Sequence, residues 1–242
     1  CGLDDDYNIS RIERYLTVIY DSGAAPIIVL NKTDVCDELD SIMSELETIA
    51  IGVPLVPISA LHANNIDLIE EHLNPGETTA LIGSSGVGKS TLINQLLGEE
   101  KMKVNLVSEE KSKGRHTTTH RELILLPNKS ILIDTPGMKE IQLWSDSDSL
   151  TQSFSDIEEL SHGCKFDDCS HKTEPGCAVL QAVDDGQLDE RRYQNYLKLE
   201  KEMAYMNKRK DQFGRYLERK EQKKFASVIK QAKKIGMRKR DR

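Results

Sequence analysis

Residues 26–34 read "PIIVLNKTD", and a second motif, "GSSGVGKS", follows only at residues 83–90. The order of these two stretches decides the fold. Gly83, Gly88, Lys89 and Ser90 satisfy Gly-x-x-x-x-Gly-Lys-Ser, behind the strand-like run "TTALIG" and at the head of the helical run "KSTLINQLL", which is the setting of a phosphate-binding P-loop. Glycines let the backbone curl so that successive N–H groups and the helix N-terminus face phosphate oxygens. A P-loop alone does not separate ATP from GTP. Asn-Lys-x-Asp does, because a carboxylate accepts from the ring N–H and the exocyclic amine of guanine together, a donor pair that adenine lacks. In guanine-nucleotide switches the phosphate loop comes first along the chain; here Asn31, Lys32, Thr33 and Asp34 precede it.

Each motif assigns roles to its residues. Gly83, Ser84, Ser85, Gly86, Val87, Gly88, Lys89, Ser90 and Thr91 form the candidate phosphate cradle. Lys89 would reach the β- and γ-phosphates and the Ser90 hydroxyl would ligate magnesium. Asp34 is the candidate for the paired guanine donors, Asn31 for holding the loop and the acceptor edge of the base, and Lys32 for packing its stem over the ring. "SAL" at residues 59–61, behind "VPLVPI", suits a backbone N–H contact from Ser59 or Ala60 to the guanine carbonyl. "DTPG" at residues 134–137 closes the run "SILIDTP", so Asp134 would hold magnesium through water and the Gly137 N–H would sense the γ-phosphate. Many such switches carry a water-orienting Gln directly after this glycine, and here the position is Met138. Between P-loop and "DTPG" lies "GRHTTTHREL", residues 114–123, within a polar stretch, 101–120, that reads as a mobile loop. Thr119 is the candidate for completing the magnesium shell in the triphosphate state, with Thr118 the alternative. His116 and His120 are candidates for positioning water or stabilising charge.

A second constellation, "CKFDDCSHKTEPGC", holds three of the five cysteines. Cys164, Cys169, His171 and Cys177 are spaced Cys-x4-Cys-x-His-x5-Cys, and three thiolates with one imidazole make a closed tetrahedral zinc site. The full ligand count points to a structural metal. The cysteine usage argues against a disulfide framework and for the cytoplasm.

Around these motifs the chain alternates helix and strand periods. Helices are predicted over 9–20, 38–49, 65–73 and from 89, with strands at 26–30, 53–59, 78–83, 122–127 and 130–136. Alternation of this kind implies an α/β domain with a mainly parallel sheet covered on both faces. From about Leu150 the strand signals cease, and residues 189–235 read as one or two long helices with Gly214 a weak point. The net charge of −7 is unevenly spread: residues 201–242 hold 16 Lys and Arg against 5 Asp and Glu. An acidic body with a basic tail suits a polyanionic partner, and a solvated charged helix is the alternative. No apolar run approaches the roughly 20 residues that span a bilayer.

With these residues in hand, the chain resembles the circularly permuted GTPases of bacterial ribosome assembly, the RsgA or YjeQ family. The order NKTD, SAL, GSSGVGKS, GRHTTT, DTPG and then the Cys-Cys-His-Cys cluster carries the resemblance, from about Asn8 to about Leu199, with "GRHTTT" and "EPGCAV" its most specific parts. A permutation explains the inverted order, since the sheet and pocket survive if the old termini are joined and a loop is opened elsewhere. The resemblance implies a permuted P-loop GTPase domain over residues 1–150 and a small helical zinc-binding domain with a basic helical tail over 151–242. It implies GTP hydrolysis stimulated by the small ribosomal subunit, in late maturation of that subunit, with rRNA as a partner, magnesium bound with GTP, and His116 as the catalytic histidine in place of the missing Gln. The chain is expected to act as a monomer without membrane contact. The OB-fold domain that usually precedes the GTPase in the family is not expected here, because the sequence opens at Cys1. The alternative is a nucleotide-gated RNA-binding module in which hydrolysis is incidental.

Overall fold

The structure, a computed structural model, describes residues 1–102, 121–137 and 147–238. The expectations at His116, Thr118, Thr119, His120 and Met138, and most of the 101–120 stretch, lie outside them.

Among the described residues five strands form where β-branched and aliphatic runs allow burial. β1 (Ile28–Leu30) pairs in parallel with β2 (Leu55–Pro57). β3 (Thr78–Leu81) pairs in parallel with β5 (Ile131–Asp134), whose other edge takes β4 (Glu122–Leu125) antiparallel, giving the order β3-β5-β4. Residues 1–3 run along the other side of the β1 end. The Leu3 N–H donates to the Asn31 carbonyl at 2.8 Å and the Asn31 N–H to the Cys1 carbonyl at 2.8 Å.

Helices cover these strands. α1 (Ile9–Asp21) starts at Asn8, whose side chain accepts from the Arg11 N–H at 2.9 Å, and buries Ile9, Ile12 and Leu16. That face packs with β1 and α2 (Leu39–Ile49) in one apolar core. A second core gathers Val56 and Ile58, the short α3 (Ile66–Glu70), Leu92, Ile93 and Leu96 of α4 (Lys89–Leu97), and Ile124 and Leu132. α3 is shorter than the 65–73 that its periodicity predicts.

Among the described residues from 147 onward the regular elements are all helices, as the sequence implies. α5 (Ser147–Ser153), α6 (Ser155–Ser161), α7 (Ala178–Asp184) and α8 (Glu190–Arg238) build a third core around Phe154, Ile157, Val179 and Leu199. α8 is one helix of 49 residues that continues through Gly214, an interior cost of only about 1 kcal/mol.

The α/β part and this helical part meet at α1. Arg192 of α8 donates to Glu13 of α1 at 2.8 Å and, through Nε and Nη2, to both carboxylate oxygens of Asp156 at 2.7 and 2.6 Å. Asn195 donates to the second oxygen of Glu13 at 2.5 Å. The guanidinium also lies 4.5 Å from the Phe154 ring centroid. The side chains of Arg192 and Glu13 are 6% and 1% exposed, so removing either leaves the other charged in a dry site. Arg192→Ala should therefore destabilise the chain by about 3–5 kcal/mol, read as a lower midpoint in urea unfolding, whereas Arg14→Ala, on a more exposed pair with Glu202, should cost far less.

Candidate nucleotide-binding site and metal centre

The C-terminal ends of β1, β2, β3 and β5 carry the four motifs, and ligands bind at those ends in open α/β sheets. Asn31 follows β1 and is buried. Its amide donates to the Val87 carbonyl in the P-loop at 2.8 Å and accepts from the Ala60 N–H after β2 at 2.9 Å. One side chain thus fastens the NKTD turn, the SAL turn and the phosphate loop to each other. Gly88 sits at φ +100°, and a Cβ there would strike the Asn31 amide, so the position accepts only glycine on both grounds.

Asp34 lies in a single 3-10 turn (Thr33–Val35). Its Oδ1 accepts from the Ser59 hydroxyl at 2.5 Å, and His62 Nε2 stands 3.8 Å from Oδ2. The Ser59 bond holds the Asp34 carboxyl below the usual carboxylate range, so it stays ionised well into acid. Lys32 adopts a left-handed backbone at φ +71°, and its ammonium pairs with Asp4 at 2.5 Å. The backbone N–H groups expected to meet a guanine carbonyl are engaged inside the protein: Ser59 donates to the Asn64 carbonyl at 3.2 Å and Ala60 to Asn31.

At the P-loop, Lys89 turns back to cap the loop's own carbonyls, donating to Gly83 at 2.9 Å and Ser84 at 2.8 Å. Burial pulls its pKa below the ordinary ammonium value, against the pull of Asp134 and Asp6. Asp134 is fully buried at the end of β5. The next residue, Thr135, donates its hydroxyl to the Leu81 carbonyl at 2.5 Å, tying "DTPG" to the strand that leads into the P-loop. Gly137 comes so close that a Cβ would lie 2.7 Å from the Ser85 nitrogen and Cα. The cleft therefore gathers Asn31, Lys32, Asp34, Ser59, Ala60, the 83–91 loop, Asp134 and Gly137.

Sequence reasoning missed Asp6, which binds the Ser84 hydroxyl and pairs with Arg11 of α1 at 2.8 Å. It also missed Gln95, whose amide holds the Ala60 carbonyl at 3.1 Å. Neither belongs to a motif. The one signal was the acidic run "DDD" at residues 4–6, which by itself reads as a solvated turn.

The cysteine cluster forms a separate centre. Cys164 Sγ stands 3.8 Å from Cys177 Sγ and 3.6 Å from His171 Nδ1, and Cys177 Sγ stands 3.5 Å from the same nitrogen. A tetrahedral ion with bonds of about 2.3 Å to sulfur and 2.0–2.1 Å to nitrogen has edges of about 3.8 and 3.6 Å, so the donors fit such a metal. All four ligand atoms, Cys169 included, lie within 4.8 Å of one another. Cys177 caps α7, its sulfur accepting from the Leu180 N–H. His171 is held at φ +56°, an unusual conformation for a side-chain-bearing residue.

Two groups impose that conformation. Tyr193 donates its hydroxyl to the His171 carbonyl at 2.5 Å. Glu174 binds the Ser170 hydroxyl and accepts from the N–H groups of Ser170, Lys172 and Thr173 at 3.2, 3.0 and 3.0 Å, so its carboxylate wraps the turn that presents the histidine. The Ser170 hydroxyl and these N–H groups hold the Glu174 carboxyl down to about 2. The sign is that of a depressed acid: its hold on the turn is complete above the ordinary carboxylate range and is lost as the pH falls towards 2.

Comparison with known proteins places this geometry. A family model described as RsgA GTPase matches residues 1–144, and one described as 50S ribosome-binding GTPase matches residues 78–229. A small ribosomal subunit biogenesis GTPase RsgA from Methanosarcina acetivorans is 45% identical over 230 residues, 95% of this chain and 62% of that protein. RsgA 2 from Listeria monocytogenes is 50% identical over 204 residues, 84% of this chain and 59% of that one. The chain thus spans less than two thirds of the length of these curated relatives. Among solved structures, YjeQ from Thermotoga maritima matches with a TM-score of 0.62 at 30% identity, covering 84% of this chain and 69% of that one. YloQ, titled a circularly permuted GTPase, matches at 0.60 and 27% identity, covering 86% and 67%.

For the metal centre, Glu174→Ala should lower affinity for a thiolate-preferring divalent ion by about tenfold or more, as loss of an outer partner of a ligand does. Competition against a chromophoric chelator reads this directly, with Glu158→Ala, an exposed carboxylate that pairs with His162 rather than with the turn, leaving affinity unchanged.

Proposed function

The chain belongs to the RsgA GTPase family and carries its circularly permuted α/β fold, and from that premise we propose that it binds GTP in the cleft between the NKTD turn and the P-loop and hydrolyses the β–γ phosphoanhydride in late assembly of the small ribosomal subunit. The observation that carries the reading is the buried Asn31 amide, which brings a guanine-reading turn and a phosphate loop, separate in sequence, to one cleft.

In this reading Asp34 accepts from the ring N–H and exocyclic amine of guanine while Lys32 packs along the base. Ser59 keeps the Asp34 carboxylate ionised and aimed. The N–H groups of residues 83–91 surround the phosphates, and Lys89 leaves the carbonyls of Gly83 and Ser84 for the β- and γ-phosphate oxygens. Ser90, Thr119 and Asp134 offer the hard oxygen donors that magnesium takes; the ion bound with the triphosphate would offset its charge. Gly137 reports the γ-phosphate and His116 positions the attacking water, the role that Met138 cannot fill. Water attacks the γ-phosphorus, the bridging bond to the β-phosphate breaks, and GDP and inorganic phosphate leave.

Zinc is the proposed ion of the Cys164, Cys169, His171 and Cys177 centre, for which three thiolates and one imidazole are suited, and its role is to fold the small helical domain. The GTPase domain is assigned to residues 1–150 and the zinc domain with its basic tail to 151–242. The chain works as a monomer in the cytoplasm with GTP, GDP, the small subunit and its rRNA as partners. Among the described residues no helix is long and apolar enough to cross a membrane.

Asp34→Asn should move preference from GTP towards xanthosine triphosphate by about tenfold or more, because an amide donates to the xanthine oxygen that replaces the amine; unchanged preference would refute the base-reading assignment. In wild type, guanine affinity should hold through the ordinary carboxylate range and decline only below it, because the Ser59 bond keeps Asp34 ionised there. Turnover of GTP should rise on addition of purified small subunits by a factor of about 10³ or more if a group or an ordering step is supplied in trans. No stimulation by any ribosomal particle would sink the assembly role.

A further inference from the structure

Beyond the third core, α8 presents a face that neither the nucleotide cleft nor the metal centre uses. Met206 is the last buried side chain among the described residues of this helix, and the stretch from there to Arg238 runs about 48 Å along its axis. Tyr205, Arg209, Phe213, Tyr216 and Lys220 follow at spacings of four, four, three and four, which keeps all five on one face.

The three rings on this face are 60%, 62% and 59% exposed. Arg209 lies 5.8 Å from the Tyr205 ring centroid, and the Phe213 and Tyr216 rings stack with centroids 6.5 Å apart at 27°. Lys208 and Arg219, also exposed, flank the stripe. Residues 207–242 as a whole carry 15 Lys and Arg against 4 acidic residues.

A helix that needed only solubility would not keep three aromatic rings in water, and exposed apolar groups clustered this way mark an interaction surface. The occupant follows from what shares the face. Interleaved cations and flat rings match a polyanion whose own flat faces are free, which is the chemistry of unpaired nucleotides. Duplex RNA offers the charge but keeps its bases in the stack. An anionic membrane favours helices with aromatic and basic groups on opposite faces, not on the same one.

We propose that Tyr205, Phe213 and Tyr216, with Arg209 and Lys220, form a binding surface for single-stranded RNA, the rings stacking on unpaired bases and the cations taking phosphates. That the RNA is ribosomal rests on the function proposed above; the chemistry of the stripe does not.

The test uses the full chain and three probes: a single-stranded RNA of about 12 nucleotides, within the usual range of such sites, a duplex RNA of the same length, and phosphatidylserine vesicles. The combined Tyr205→Ala, Phe213→Ala, Tyr216→Ala variant keeps strong helix formers at exposed positions and should retain its helix content by circular dichroism. It should bind the single strand about 100-fold more weakly, with the salt dependence unaltered because no charge is lost, and the duplex within about twofold of wild type. Exchanging the rings for other rings, Tyr205→Phe, Phe213→Tyr, Tyr216→Phe, should preserve affinity. Arg209→Gln with Lys220→Gln should instead flatten the salt slope by roughly 1.4.

Unchanged single-strand affinity in the alanine variant overturns the proposal, as do equal losses on duplex and single strand or a wild-type chain that prefers the vesicles. Subunit-stimulated GTP turnover measured alongside separates the two readings. Stimulation without a ring effect removes the stripe alone, and a ring effect without stimulation removes the ribosomal role alone.

Discussion

A single buried carboxamide organises the candidate site. The Asn31 side chain donates to Val87 and accepts from Ala60, and its crowding against Gly88 admits no side chain there. Inside a protein, a donor or acceptor deprived of its partner costs about 1–3 kcal/mol, so this amide holds three loops to one register as much by penalty as by attraction. Asp34, three residues on, is then within reach of Ser59, and the phosphate loop is fixed relative to both. The order of the motifs along the chain does not matter to that arrangement. What matters is that the ends of β1, β2 and β3 meet, which a permuted chain achieves as well as an unpermuted one.

From the P-loop a line of polar contacts leads outward. Ser84 binds Asp6, Asp6 pairs with Arg11, and two residues further along α1 Glu13 receives Arg192 of α8, which also grips Asp156. The helical part that carries the cysteine cluster is thus braced against the helix whose Arg11 reaches the phosphate loop through Asp6. Permutation gives the same two parts a covalent link, since "DTPG" is the last of the nucleotide motifs before the chain enters the helical region.

Much of this was legible in the sequence for identifiable reasons. The strands at 28–30, 55–57, 78–81, 122–125 and 131–134 fall inside the predicted runs because each is a short aliphatic segment bounded by turn formers. The clustering of the candidate metal ligands was legible because sulfur and imidazole at close spacing have few other uses in so polar a stretch. Asp6, Gln95, Glu174 and the Glu13–Arg192 pair were not legible. All but Glu174, whose partners lie within four positions of it, act through groups brought near only by folding, as Arg192 and Glu13 lie 179 positions apart. A charged residue in a long charged helix gives no sign of being buried. Gly214 leaves one helix or two open in the sequence, and a local weakness of about 1 kcal/mol does not break a helix of 49 residues.

GDP titrated into wild type and Asn31→Ala by calorimetry asks whether the NKTD turn and the phosphate loop form one pocket through Asn31. Affinity should fall about 10- to 100-fold while the unfolding midpoint shows the variant still folded, because two loops lose their common anchor. Equal affinity in the two proteins would contradict it.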